Sequence, residues 1–304
     1  MRAAAGALSV AVSTRDRVEG LARCLDAVLA GSMLPAELVV IDQSDGDGTA
    51  AMLERRQWPV PFRYARRPPT GLSASRNAAL TTATTVALAV TDDDCVPDPD
   101  WVATLAGAFD TDRGLAAVTG RVLPLGPPVA GRHAVSSRTS GVAREFGGRV
   151  SPWLVGTGAN FAVRRSAALA IGGYDERLGV GSLGGAGEDL DLQDRLLAHG
   201  GRIRYEPGAL VYHERQEWGR RLASRTSYGH GVGACCGLRL RRRDLFAVPM
   251  LTSWVVLRGR VLAAGLLSRR PAALHEEWLV LRGTLSGLAY GFRAAGVSPV
   301  TERP

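Results

Sequence analysis

Two rhythms of apolar residues alternate through the first two hundred positions. Short runs rich in Val, Leu and Ile, at residues 8–13, 38–41 and 85–90, are bounded by polar or glycine-containing segments and predict buried strands. Between them apolar residues recur at helical spacing, and Val18, Leu21, Ala22, Leu25, Val28 and Leu29 predict an amphipathic helix ending near Gly31. Pro35 reads as punctuation before the second strand, residues 42–48 as a polar loop before another helix, and residues 62–65 as a weaker third strand. A turn at 68–71 leads into a helix over 72–82, and the strand at 85–90 runs into Asp92, Asp93 and Asp94. A helix over 99–109 and a strand over 115–122 precede residues 124–152, rich in Pro, Gly, Ser and Arg, which read as a functional lid or a disordered loop. A helix at 164–171, a glycine-rich run at 179–187, a helix opening at Glu188 and two strands at 202–205 and 209–212 complete this region.

Strands alternating with helices of this length predict an α/β fold, a mostly parallel sheet with helices on both faces. Ligands of such sheets lie beyond the carboxyl ends of the strands. The segments from Thr14 to Arg17, Asp42 to Asp45 and Asp92 to Asp94 each follow a strand, so the fold gathers them on one rim. Three consecutive carboxylates at the mouth of a core strand repel one another unless a cation or several donors neutralise them. Capping the next helix is the ordinary explanation for such a triplet. Here Asp98-Pro99-Asp100-Trp101 already supplies an N-cap, a proline at the first helical position and an acidic first turn. Residues i and i+2 of an extended segment point the same way, so Asp92 and Asp94 form a pair suited to a hard divalent cation, and Asp93 supports the loop.

The 304 residues, 46% hydrophobic and 22% charged, suffice for one large domain or a domain with an appendage. Every basic residue is arginine, and the formal net charge is +8. From Leu238 onward eleven arginines face four acids, which places seven of those eight charges there and leaves the first 237 residues close to neutral. From Trp218 the patterns are helical, with arginine clusters and tryptophans. The apolar residues 245–257 contain Pro249 and stop at Arg258, and 261–267 are fewer still, so each piece is too short to cross a bilayer. Helices of this kind lie on an anionic membrane surface, or dock on the α/β domain or on a second copy in a homo-oligomer. A nucleic-acid partner is excluded, because the basic segment is helical and apolar and lacks aromatic and basic residues interleaved on a sheet. Cys24, Cys95, Cys235 and Cys236 show no CxxC spacing, which argues against a zinc site or disulfide framework and for a reducing compartment. The N-terminal run, 1–12, reads as strand and not as a signal peptide.

Four ordered motifs resemble those of family 2 glycosyltransferases of the GT-A fold, over about residues 8–215. Val12-Ser13-Thr14-Arg15-Asp16-Arg17 resembles the first-strand motif, with Ser13 and Arg15 departing from the usual proline and aromatic, and Val39-Val40-Ile41-Asp42-Gln43-Ser44 resembles the second-strand acidic motif. Asp92-Asp93-Asp94 with Pro97 resembles the D-x-D element, and Gly187-Glu188-Asp189-Leu190-Asp191-Leu192 with Arg195 resembles the motif that carries the catalytic base. Gly71-Leu72-Ser73-Ala74-Ser75-Arg76-Asn77 stands between them.

The resemblance implies a nucleotide-sugar-binding half at 1–122, an acceptor and catalytic-base half at 123–215, and a basic amphipathic helical extension at 216–304. It implies a nucleotide-diphosphate sugar donor held by Thr14, Arg17, Asp42, Ser44, Arg76, Asp92 and Asp93, and a cation, Mg²⁺ or Mn²⁺, held by Asp92, Asp94 and His213. Asp189 is then the general base of an inverting displacement, with Trp153, Asn160 and Glu188 on the acceptor side. The glycines at 181–187 offer little packing and much backbone freedom for a bulky substrate. Acceptors in this family are glycans, lipid-linked glycans or small molecules. The C-terminal helices favour cell-envelope or polysaccharide synthesis in the cytoplasm, peripheral on the inner face of the plasma membrane. The competing readings are a nucleotidyltransferase, which lacks its usual phosphate loop at 13–20, and a non-catalytic membrane-associated binding protein, against which the intact acidic motifs argue.

Overall fold

A computed structural model describes residues 4–135 and 137–294; the end of the predicted extension, 295–304, lies outside the described residues. In chain order the elements are β1 (Ala4–Thr14), α1 (Val18–Ala30), β2 (Leu34–Asp42), α2 (Gly48–Glu54), β3 (Phe62–Arg66), α3 (Leu72–Thr82) and β4 (Ala87–Asp92). Then come β5 (Cys95–Pro97), α4 (Trp101–Thr111), β6 (Leu115–Pro124), β7 (Arg132–His133), β8 (Arg144–Phe146), β9 (Phe161–Arg164), α5 (Arg165–Ala170) and α6 (Glu188–Ala198). Last are β10 (Arg202–His213), β11 (Gln216–Glu217), α7 (Trp218–Arg241), α8 (Ala247–Leu267) and α9 (Pro271–Arg293).

The sheet runs β3-β2-β1-β4-β9-β6-β10-β5, with β8 added on β10. β1 pairs in parallel with β2 and β4, β2 with β3, and β6 with β10. β9 runs antiparallel between β4 and β6, and β5 and β8 run antiparallel to β10. Alternation along each strand splits the apolar runs between two layers, because successive side chains point to opposite faces. Leu8, Val10 and Val12 join Leu38, Val40 and Ala89 under α1 and α4, while Ala11, Val39, Ile41, Leu88 and Val90 pack with Ala79, Leu80, Leu192 and Leu196 of α3 and α6. A continuous apolar run is therefore what a strand buried on both faces requires.

Several boundaries depart from expectation. Pro35 lies inside β2, opposite Ala5, in the second position of the strand where a missing N–H is tolerated. α4 starts at Trp101, and Asp98 accepts the Asp100 N–H at 3.2 Å, a turn ahead of the helix instead of a cap within it. The two expected strands at 202–205 and 209–212 are one strand, β10, whose register shifts between Glu206 and Leu210. Residues 124–152 are stitched down: β7 pairs with β11, β8 with β10, Arg138 with Val122, and the Tyr205 hydroxyl donates to the Ser140 carbonyl at 2.6 Å.

The largest difference concerns the C-terminal region. The apolar pieces expected to stay separate join through Arg258 and Arg260 into α8, 21 residues long with mean hydropathy 1.4. By length and composition this one helix among the described residues could cross a membrane. Pro249 does not break it, since the first turn of a helix has N–H groups without intrahelical acceptors.

Candidate active site

Strand register builds the rim. Thr14 lies opposite Asp42 and Ser13 opposite Asp92, so the three polar loops meet where β1, β2 and β4 end. The first two loops are tied together, with the Gln43 N–H on the Thr14 carbonyl at 2.9 Å and the Asp16 N–H on the Ser44 hydroxyl at 2.8 Å.

The aspartate triplet divides by direction. Asp93 accepts the Thr14 hydroxyl at 2.8 Å and lies 3.2 Å from Arg17. Burial pushes its carboxyl up to about 7, against the opposing pull of Arg17. Asp94 accepts Arg17 Nη1 at 2.8 Å, and Arg17 is itself held at 3.1 Å by Glu214. Asp92 turns toward Arg76 Nη2 at 2.9 Å. Ligand atoms from Asp92, Asp94, Cys95 and His213 all lie within 4.8 Å of one another. His213 Nδ1 is 2.9 Å from the Glu214 carbonyl, which can only accept, so Nδ1 carries a proton and Nε2 is the ring atom turned to Asp94 Oδ1, at 3.6 Å. A proton or a cation can join that pair, and carboxylate oxygens with one imidazole suit Mg²⁺ or Mn²⁺. Burial holds the Cys95 thiol well above its ordinary pKa, so it stays a neutral, weak ligand.

A single guanidinium joins this cluster to the candidate base. Arg76, 3% exposed, sits on α3 and reaches Asp92 with Nη2 and Glu188 with Nη1 at 2.8 Å. It also approaches the Gly158 carbonyl at 3.3 Å and lies over the Tyr174 ring. Burial opposes its charge, but Glu188 and Asp92 hold its pKa above the ordinary value. Asp189, half-buried beside this pair, accepts the Gly158 N–H at 2.7 Å and the Leu190 N–H at 2.8 Å. Burial, then the neighbouring Glu188 charge, push it up to about 6, with Arg76 pulling the other way. A carboxylate with that value is ionised at neutral pH and a better proton acceptor than an ordinary aspartate.

Other predicted residues fall in different places. Asp42 is fully buried and holds its loop, accepting Tyr64 Oη at 2.9 Å and the Ser44 N–H at 2.8 Å. Asn160 is fully buried as well, accepting from Trp101 Nε1 and donating to the carbonyls of Arg121 and Ala209. The expected acceptor role for Asn160 is corrected: every polar atom of its side chain is used inside the core. Glu188 is buried against Arg76, and Trp153 packs on Trp254 of α8 at 5.2 Å. Sequence reasoning passed over Tyr64, Glu214, Gly158 and Tyr174. Glu214 adjoins His213, and Tyr64 lies two residues before Arg66, the partner of Asp42 in β3, and so on the same face of the sheet; strand register is the signal that finds Tyr64.

The glycine-rich run before Asp189 is closely packed, not free. Gly187 abuts Gly231 of α7, Cys235 donates to the Gly187 carbonyl at 3.3 Å, and the Ala186 N–H reaches the Ser227 hydroxyl at 3.1 Å. Gly179, Gly181, Gly185 and Gly187 have positive φ, a backbone that L side chains rarely adopt.

Asp94 also borders a cavity of about 210 Å³ lined by Arg132, Arg215, Arg220, Glu214 and Glu217 among others. The β7–β11 pair, with the Arg132–Glu217 ion pair at 3.1 Å, forms one wall.

A mostly parallel α/β sheet with an acidic cluster at the carboxyl ends of its strands defines a GT-A type fold. The chain belongs to glycosyl transferase family 2, whose pattern matches residues 9–172. It is 28% identical over 284 residues to the pre-mycofactocin glycosyltransferase of Mycobacterium tuberculosis, covering 88% of this chain and 55% of that protein. It is 27% identical over 195 residues to the glucosyl-dolichyl phosphate glucuronosyltransferase of Haloferax volcanii, covering 57% of each. The chain thus spans about half the length of the curated relatives it matches. Among solved structures it is similar to a mannosyltransferase of Pyrobaculum calidifontis in complex with GDP-Man and Mn²⁺, with TM-score 0.60 and 17% identity, covering 92% of this chain and 86% of that one.

Proposed function

We propose that this chain is a divalent-cation-dependent, inverting glycosyltransferase that moves a sugar from a nucleotide-diphosphate sugar to an acceptor hydroxyl. The observation that carries the reading is the spatial division made by Arg76. On one side Asp92, Asp94 and His213 form a cation cluster beside an arginine-lined cavity; on the other stands Asp189, oriented by two backbone N–H groups. The donor assignment draws support from the similar mannosyltransferase structure, which holds GDP-Man and Mn²⁺.

Asp92, Asp94 and His213 would hold the cation. Once bound, it supplies positive charge for the diphosphate leaving group. Arg132, Arg215 and Arg220 line the space beside Asp94 and attract the same anion. Thr14 and Arg17 fix Asp93 and Asp94, and Asp42 and Ser44 fix the adjoining loop that receives the nucleoside. Asp189 takes the acceptor hydroxyl proton while the acceptor oxygen bonds to the anomeric carbon and the carbon–oxygen bond to the diphosphate breaks. Attack from the face opposite the leaving group inverts the anomeric centre. Arg76 neutralises Glu188 and Asp92, so that Asp189 can ionise among other carboxylates. The acceptor is a glycan, a lipid-linked glycan or a small molecule, and the reaction belongs to cell-envelope or polysaccharide synthesis on the cytoplasmic side. Four buried free cysteines support a reducing compartment.

The test is Asp189→Asn, assayed by nucleoside-diphosphate release from a panel of UDP-, GDP- and dTDP-sugars with Mn²⁺. Turnover is expected to fall by about 10²–10⁴, with donor binding by calorimetry retained. Turnover near the parent rate would overturn the assignment of the base.

A further inference from the structure

We infer that the outward faces of α8 and α9 form a docking surface for an anionic lipid bilayer, with both helices lying along it. On α9 the residues Trp278, Arg282, Leu285, Ala289 and Phe292 recur at helical spacing on its exposed side, with Trp278, Leu285 and Phe292 60%, 70% and 58% exposed. On α8 the exposed apolar stripe includes Val248, Val255, Val256, Leu266 and Leu267. These are large side chains left uncovered on adjacent helices, beyond the scattered apolar residues of an ordinary surface.

Charge identifies what covers the face. Every described acid from Leu238 onward is turned inward: Asp244 pairs with Arg149 and Arg239, Glu276 with Arg221, and Glu277 with Arg225 and Arg258. Arg243, Arg260, Arg269, Arg270, Arg282 and Arg293 are exposed and face no acidic partner among the described residues. A surface of apolar stripes whose unpaired charges are all arginine among the described residues complements lipid tails and anionic headgroups. It does not complement a second copy of itself, because a twofold contact would set like charges against each other. Lying flat also agrees with the inner side of α8. Trp254 Nε1 donates to Thr284 of α9 at 3.0 Å, and Arg258 meets Glu277 at 3.3 Å halfway along the helix. A spanning α8 would abandon these contacts and carry Arg258 and Arg260 into hydrocarbon.

The experiment is flotation of the full chain with phosphatidylcholine vesicles, with and without about one third phosphatidylglycerol, at about 20 mM and about 0.5 M salt. Recovery is expected with the anionic vesicles at low salt alone. Replacing Arg269 and Arg270 together by serine is expected to lower partitioning roughly 25-fold, about fivefold per arginine. Leu285→Ser with Phe292→Ser is expected to abolish it while circular dichroism stays unchanged. Equal recovery with both vesicle types, or none, overturns the proposal. So does a dimer in light scattering that the Leu285 and Phe292 changes dissociate, which would give the face to a second copy. Retention in cell membranes after alkaline carbonate washing would overturn the flat placement.

Discussion

Replacing Arg76 by methionine tests the centre of the proposed site. The side chain keeps its length and loses its charge, so Glu188 is left buried without its cation. Asp92 loses a partner too, but with its side chain 30% exposed it contributes less than Glu188 at 6%. Removing one member of a buried pair costs about 3–5 kcal/mol. At about 2 °C per kcal/mol for a chain of this size, the melting temperature is expected to drop by roughly 6–10 °C at pH 8. The pH dependence separates charge from packing. Arg76 pulls the raised pKa values of Asp92 and Asp189 downward, so without it both rise further above their unfolded values. A carboxylate with a raised folded pKa is destabilising when ionised, fully so above that pKa, and the penalty disappears as pH falls through it. The deficit relative to the parent is therefore larger at pH 8 than at pH 5.5. Differential scanning fluorimetry at the two pH values reads this directly. An equal loss at both would mean that Arg76 matters only through its packing, and the electrostatic account of the site would fail.

Three further outcomes follow from the same geometry. Asp94→Asn removes one charge from the cation cluster and is expected to weaken Mn²⁺ binding at least tenfold by calorimetry, with the fold retained because Arg17 keeps Asp93 as partner. The parent enzyme is expected to lose kcat/KM for the donor as pH falls through about 6, where Asp189 takes up its proton; a profile flat down to pH 5 would remove Asp189 from the role of base. Gly231→Ala puts a methyl group onto the Ala186 carbonyl, backbone against backbone, and is expected to destabilise by more than about 3 kcal/mol or prevent soluble expression. Gly219→Ala, where nothing lies within 4 Å, serves as the neutral control.

Most elements before Asp94 were legible because β2, β4 and the end of β1 are buried on both faces and α1 has one apolar stripe, so period and length coincide with structure, whereas the half-exposed edge strand β3 gave a weaker signal. The rim was legible for a further reason: in a parallel sheet the loops after consecutive strands meet at one end, whatever their distance in sequence. Asn160 resisted because residue type does not specify direction. A polar residue beside a motif can face substrate or core, and only packing decides; Asn160 turned inward to Trp101 and two carbonyls. α8 resisted because Arg258, near its midpoint, looks like a boundary when its partner, Glu277, is unknown.

The glycines of the C-terminal region bear on the proposed base, Asp189. Gly229, Gly233 and Gly237 of α7 and Gly283, Gly287 and Gly291 of α9 alternate along one seam, and a Cβ at any of them would meet the carbonyl of the facing helix. Backbones that close leave α7 no freedom to shift relative to α9, since packed interfaces of this kind do not deform continuously. The opposite side of α7 holds the run into Asp189 through Ser227, Gly231 and Cys235, and Arg239 of α7 pairs with buried Asp194 on the base helix. α7, locked to α9, thus buttresses the segment and the helix that carry Asp189. A family pattern ending at residue 172 covers neither the proposed base nor its support. Truncation after β10 should therefore abolish turnover even if the proposed nucleotide-binding rim folds, a result that donor binding measured beside donor turnover would separate from global unfolding.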